Sequence, residues 1–199
     1  IDYAEKNAQD LLPNLSTAKS PQQMMGSMIK TYWAQKAGID PAKIYSVSVM
    51  PCTAKKYECK RNDDMKSSGF QDVDNVLTTR ELARFIKQSG IDFNDLPEEE
   101  ADNPLGPYTG AATIFGATGG VMEAALRTAY AVITGKELGD INSIPARGLK
   151  NVKEAKVDVA GTEVRIAVVH QLGNVEEVLK IVRDAKAAKK DPPYHFIEV

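Results

Sequence analysis

The sequence predicts an α/β fold: mixed, mostly parallel sheets flanked by helices. Three observations carry this. Segments with apolar residues at helical spacing alternate along the chain with segments of strand-like alternation. Serine, threonine and asparagine stand where helices should start, and glycines where they should stop. Ala160-Gly161 joins two alternating runs as a hairpin turn. A chain of 199 residues, 43% hydrophobic and 26% charged, suits one domain or two small ones.

In order, residues 1–12 read as a helix ended by Pro13. Ser20 is the N-cap of the next helix, with Pro21 at its first position and Gln23 completing a capping box. Gly38 closes it. Met25, Met28, Ile29, Tyr32 and Trp33 form its apolar stripe. Residues 43–50 alternate as a strand, with Tyr45, Val47 and Val49 on one side and Ile44, Ser46, Ser48 and Met50 on the other. Pro51 stops it. A short strand near Asp74–Leu77 leads into a helix with Thr78 as N-cap, Glu81 at N3 and Gly90 as terminator.

Residues 91–117 read as a long loop, acidic at Glu98–Glu100. Thr118-Gly119-Gly120 opens a helix ending at Gly135. Val157 and Val159, then Val164, Ile166 and Val168, form the hairpin. Asn174 and Glu177 cap a helix running to about Lys186, and Tyr194–Val199 is strand-like.

Charge and composition exclude several functions. Lys plus Arg is 25 and Asp plus Glu is 27, a net −2, so there is no basic field for nucleic acid. No apolar run reaches the roughly 20 residues of a membrane helix. No signal-peptide pattern opens the sequence, and a cytoplasmic location is expected. Cys52 and Cys59 are too few for a disulfide scaffold or a four-cysteine metal site. The chain opens on Ile1 and stops on a strand, so it is expected to be a segment of something longer.

In open α/β sheets ligands sit beyond the carboxyl ends of strands, and here that place is Met50-Pro51-Cys52. A cysteine just past a strand end faces the functional edge. Lys55, three residues on, would favour its thiolate, the metal-binding form. Glu58 could pair with Lys55 or carry protons. The same residues also fit a buried structural cysteine beside a surface Lys–Glu pair.

Met50-Pro51-Cys52-x-x-Lys55-x-x-Glu58 resembles the second of three signature motifs of the iron-only ([FeFe]) hydrogenases. Leu15–Gln23, Val76–Leu82, Ile114–Arg127 and His195–Val199 also resemble that family, so the likeness covers nearly the whole chain. Two motifs of the family are absent: Thr-Ser-Cys-Cys-Pro-x-Trp before residue 1 and Met-Ala-Cys-x-x-Gly-Cys after Val199. The chain is therefore expected to be the middle of the two-lobed hydrogenase catalytic domain, residues 1–199 being an internal fragment.

The resemblance implies an H-cluster, a [4Fe–4S] cubane joined to a two-iron centre carrying CO, cyanide and a bridging azadithiolate. It makes Cys52 one of four cubane ligands. Lys55 would donate to a cyanide, with Ser20 near the other and Gln22 near a diatomic ligand. Met50 and Pro51 would line the two-iron cavity, and Phe115, Thr118 and Gly119 would help wall the pocket. Ser16 matches a position on the proton path. The implied reaction is reversible 2H⁺ + 2e⁻ to H₂, with ferredoxin or a similar carrier and the remainder of the hydrogenase chain as partners. The fragment alone is expected to be inactive and to hold no complete cluster. The alternatives are a hydrogenase-like iron–sulfur protein of the cluster-assembly or prelamin-recognition type, and a hydrogen sensor.

Other features read more plainly. Cys59 is an ordinary thiol, and Met24, Met25 and Met28 are core packing. Thr118-Gly119-Gly120 fits either an anion seat or close helix packing. Gly135-Lys136 lacks the upstream glycine of a P-loop. His170 and His195 are lone histidines, and Lys186, Lys189 and Lys190 a solvated helix end. Sheet edges and apolar surface left uncovered by truncation would favour a homodimer.

Overall fold

The computed structural model describes residues 1–141, 144–145, 149 and 151–199. They form two compact units, Ile1–Leu105 and Gly106–Val199. Both combine short helices with small sheets, the mixed α/β class the sequence predicts.

In the first unit, α1 (Asp2–Asn7) ends earlier than the sequence suggests, and a 3₁₀ turn over Gln9–Asn14 takes Pro13 inside it. Helix α2 (Pro21–Met28) starts at Ser20, whose hydroxyl accepts the Gln23 N–H at 3.4 Å. The reciprocal half of the capping box is missing, because the Gln23 side chain turns to Gln22 and to the Met65 sulfur. A π-helical turn (Ile29–Trp33) continues into α3 (Ala34–Ala37), and left-handed Gly38 ends the run.

The buried face of this long helix is not the expected apolar stripe. Gln22, Gln23, Gly26, Lys30 and Ala34 are buried, while Met24, Met25, Met28 and Tyr32 are exposed. Two contacts turn it this way. Gly26 approaches the 72–73 backbone so closely that a Cβ would sit 2.6 Å from the Asp72 carbonyl oxygen. The Lys30 ammonium reaches Asp74 at 2.6 Å, and Asp74 also accepts the Ser46 N–H at 2.6 Å. The methionines are thus not core packing in this unit.

Strand β1 is only Val47–Val49 and pairs in parallel with β2 (Asn75–Leu77). Its alternation is as expected, yet Tyr45, Val47 and Val49 lie on the exposed side. Helix α4 (Ala54–Glu58) follows β1, and α5 (Thr79–Gln88) follows β2. The Thr78–Glu81 capping box is complete. Lys56 ties α4 to this corner, donating to the Val76 carbonyl at 2.7 Å and pairing with Glu81 at 2.7 Å. That ion pair, with the N–H and hydroxyl of Thr78, brings the Glu81 pKa from 4.5 down to about 2.

A depressed folded-state pKa means the contribution is full above about pH 4.5 and fades as pH falls through about 2. Glu81→Gln should therefore flatten the acid limb of the stability profile in that window. Parallel acid titrations of the two proteins, followed by circular dichroism, check this; identical profiles would contradict it.

The 91–117 stretch is mostly irregular, with a 3₁₀ turn at Phe93–Asp95 and α6 (Ala111–Ile114) near its end. In the second unit, α7 (Gly120–Thr134) runs between left-handed Gly119 and Gly135, as its sequence punctuation requires. The sheet order is β3 (Ile144–Pro145), β4 (Val152–Val159), β5 (Thr162–Val169), β6 (Phe196–Glu198). β3–β4 and β4–β5 are antiparallel and β5–β6 is parallel. With β1–β2, parallel and antiparallel pairings among the described residues are equal in number, so parallel pairs do not dominate.

The hairpin closes at Ala160 and Gly161, both at positive φ. Met122 and Leu126 of α7 pack on Ala155, Val157, Ile166 and Val168. Helix α8 (Val175–Ala187) starts after Asn174, which makes no side-chain cap; its amide donates to the His170 carbonyl instead. No helix among the described residues is long and apolar enough to cross a membrane.

Candidate functional site

The motif 50–58 sits where strand-end logic places it. The Met50 N–H extends the ladder to the Leu77 carbonyl at 2.9 Å, and Pro51, lacking an N–H, ends it. Cys52 is a free, exposed thiol on the turn into α4, and its carbonyl accepts the Lys55 N–H at 3.3 Å. The Lys55 ammonium binds Glu58 at 2.6 Å, with both side chains largely buried. Its charge is thus engaged by Glu58, one of the options the sequence leaves open. An ammonium has three donors, and Glu58 takes one.

Gln22 of α2 meets this turn. Its amide nitrogen donates to the Lys55 carbonyl at 3.4 Å and to Gln23 Oε1 at 3.1 Å. Those two acceptors fix the amide orientation and leave Gln22 Oε1 buried without a hydrogen-bond partner. A buried acceptor of this kind is a feature that a bound group with a donor would relieve.

The approach to α2 is held from below. Lys19 bridges Ser67 at 2.7 Å and the fully buried Asp72 at 3.0 Å, immediately ahead of Ser20. Ser16 lies on the exposed part of this approach, where its hydroxyl accepts the Ala18 N–H at 3.2 Å. The first unit thus brings Gln22, Cys52 and Lys55 to one turn, with Met50 and Pro51 leading into it; Ser20 caps the α2 helix that carries Gln22.

Cys59 is different. It is buried with Val73 and Val76, and its thiol donates to the Lys56 carbonyl at 3.3 Å. Burial pushes its pKa up, which disfavours the thiolate a metal needs. Among the described residues no group of three or more His, Cys, Asp or Glu is placed to hold a metal ion. The residues present fit one share of an iron–sulfur site: one exposed cysteine sulfur, an ammonium and an orphaned amide oxygen. A cubane held by four cysteines needs donors from elsewhere.

The second unit carries Phe115, Thr118 and Gly119. Phe115 and Thr118 border a cavity of ≈ 290 Å³ that also meets His170, Gln171 and Glu198; Thr118 and Gly119 line a second cavity of ≈ 350 Å³ with Met122, Ile166 and Val168. Thr118 Oγ1 and His170 Nδ1 share a hydrogen bond of 2.9 Å. Gln171, just beyond the end of β5, holds a left-handed φ of 71°, a strained state for a side-chain-bearing residue. His195 is structural, its Nδ1 accepting the Arg165 N–H at 2.9 Å.

The alternatives for Thr118-Gly119-Gly120 are both realised. A Cβ on Gly120 would fall 1.7 Å from the Ile114 carbonyl oxygen, so the helix start is packed on backbone. The anion seat at the start of α7 is filled by the protein itself. Glu198 of β6 accepts the Gly119 N–H at 2.8 Å and the Met122 N–H at 2.7 Å. Sequence reading misses Glu198, because the partner lies 79 residues from Gly119 and no local spacing signals it.

The profile of the family described as "Iron only hydrogenase large subunit, C-terminal domain" matches residues 1–199. The periplasmic [Fe] hydrogenase large subunit of Nitratidesulfovibrio vulgaris is 52% identical over 98% of this chain and 45% of its own length. Cytosolic iron-sulfur assembly component 3 of Rattus norvegicus is 34% identical over the whole chain and 42% of its own length. A variant of apo [FeFe]-hydrogenase HydA1 from Chlamydomonas reinhardtii superposes with a TM-score of 0.77 at 35% identity, covering 98% of this chain and 55% of that one. The chain spans less than half the length of these two curated relatives. Across its full span, the chain belongs to the family of iron-only hydrogenase large subunits, in their C-terminal domain.

Proposed function

We propose that the chain is the central part of the catalytic domain of an [FeFe]-hydrogenase. The complete parent would interconvert protons, electrons and H₂, exchanging electrons with ferredoxin or a similar carrier. The observation that carries this is the turn after β1, where a free exposed Cys52 stands beside Lys55 and the orphaned Gln22 oxygen.

When bound, a cubane joined to a two-iron centre supplies the redox chemistry. The chain's own residues hold and surround it. Cys52 contributes one of four cubane thiolates. Lys55 directs its remaining donors to an anionic diatomic ligand, a charge-assisted contact. Ser20 and Gln22 would lie near the other diatomic ligands. Met50 and Pro51 would line the two-iron cavity, and Phe115, Thr118 and Gly119 of the second unit would help keep water out. Ser16 relays protons, since a hydroxyl both accepts and donates. With one ligand of four, the isolated chain is inactive.

A cytoplasmic location goes with this reading, while the relative from N. vulgaris carries "periplasmic" in its name. The second reading is a cluster-assembly protein without the two-iron centre, supported by 34% identity to the assembly component over this whole chain and 42% of that protein's length. Infrared spectroscopy of the anaerobically matured parent separates the two. Stretches of metal-bound CO and cyanide are expected; a loaded cubane without them would favour the assembly reading.

A further inference from the structure

Glu198 joins β6 to the start of α7 within the second unit. Both its oxygens are committed, to the Gly119 and Met122 N–H groups at 2.8 and 2.7 Å. Those donors are among the orphan groups of a 15-residue helix, where a carboxylate is most strongly held. Glu198 also sits in β6, paired in parallel with Val168 of β5. Val168 in turn touches the place where a Cβ on Gly119 would stand, 3.3 Å away. One side chain therefore locks three things in register: the start of α7, the segment 115–119 and the end of β6. Residues 115–118 and Glu198–Val199 border the ≈ 290 Å³ cavity, while Gly119, Gly120 and Met122 at the start of α7 line the second one, of ≈ 350 Å³.

We infer that Glu198 is a positioning residue of the active site, fixing the Phe115–Gly119 wall against the end of β6. This rests on the hydrogenase reading. The logic is that of any supporting contact to a cofactor site. A wall displaced by a fraction of an ångström still folds, but it no longer matches the group it encloses. Gln at 198 keeps the length and one acceptor oxygen, so one of the two N–H groups stays satisfied. Ala removes both acceptors and leaves the helix start uncapped.

The test uses the complete parent hydrogenase, anaerobically matured, as wild type, Glu198→Ala, Glu198→Gln and Val157→Ala. The last truncates the α7–sheet core away from the cavity and controls for lost stability alone. Three readings are taken: hydrogen evolution per loaded cluster, the infrared bands of metal-bound CO and cyanide, and amide exchange at Gly119 and Met122. Glu198→Ala is expected to lose about 10–100-fold in turnover per cluster, with displaced infrared bands. Its two amides should exchange faster, and Glu198→Gln should fall between it and wild type. Val157→Ala should keep wild-type bands and turnover per cluster. Wild-type bands and turnover in Glu198→Ala would overturn the inference. So would an equal per-cluster loss in Val157→Ala. A loaded wild-type parent that forms no H₂ would instead overturn the hydrogenase reading and this inference with it.

Discussion

Cys52→Ala in the complete parent is expected to abolish hydrogen evolution while leaving the fold intact. Cys52 is exposed, free and outside the buried clusters, so its truncation removes no packing. A surface change of this kind moves stability by no more than about 0.5 kcal/mol. Its expected effect is confined to the metal, because a cubane missing one thiolate loses a primary ligand. Cys59→Ala should behave oppositely. That side chain is 1% exposed and packs with Val73 and Val76, so its loss costs stability and leaves iron content unchanged. Iron analysis, hydrogen evolution and thermal unfolding on the two variants check the contrast. Full iron loading and activity in Cys52→Ala would contradict it.

The second large effect is Asp74→Ala. Lys30 is 1% exposed, and Asp74 is the anion that its ammonium meets at 2.6 Å. Taking the carboxylate away strands a buried cation and also leaves the Ser46 N–H without its acceptor. Breaking a buried pair from one side costs about 3–5 kcal/mol. Replacing both partners by apolar residues of similar size, Lys30→Met with Asp74→Leu, should restore most of that loss. Urea unfolding of the single and double variants measures both. A single variant that loses under about 1 kcal/mol would contradict the account.

These two predictions also show where sequence reading succeeds and where it stops. The place of Cys52 just past β1, the Thr78–Glu81 capping box, the Ala160-Gly161 turn and the glycine ends of α7 are legible because each is a local pattern. A capping box needs three residues of spacing, and a turn needs two positive φ angles. The orientation of α2 is not legible. Its apolar spacing argues for burying the methionines, yet the helix buries Gln22, Gln23 and Lys30. Their compensating partners, Met65 for Gln23 and Asp74 for Lys30, come 42 and 44 residues later. Gly26 sets the same face by permitting backbone contact at Asp72.

The exposed apolar side of β1 is the reverse case. Alternation places Tyr45, Val47 and Val49 together, and alternation alone does not say which side meets solvent. Glu198 stays hidden for the same reason as Asp74: its partners are backbone N–H groups brought to it by the sheet. In the candidate site, residue type and strand position mark Cys52 and Lys55 as candidates and leave a structural cysteine beside a Lys–Glu pair open; their roles come from the family resemblance. The orphaned oxygen of Gln22 appears only once α2 is laid against the turn after β1.

The most direct measurement is hydrogen evolution from reduced methyl viologen by the complete parent, matured anaerobically with its H-cluster. Steady H₂ formation that scales with loaded cluster and disappears in Cys52→Ala is expected. A parent with a full cubane and two-iron centre that forms no H₂ would contradict it.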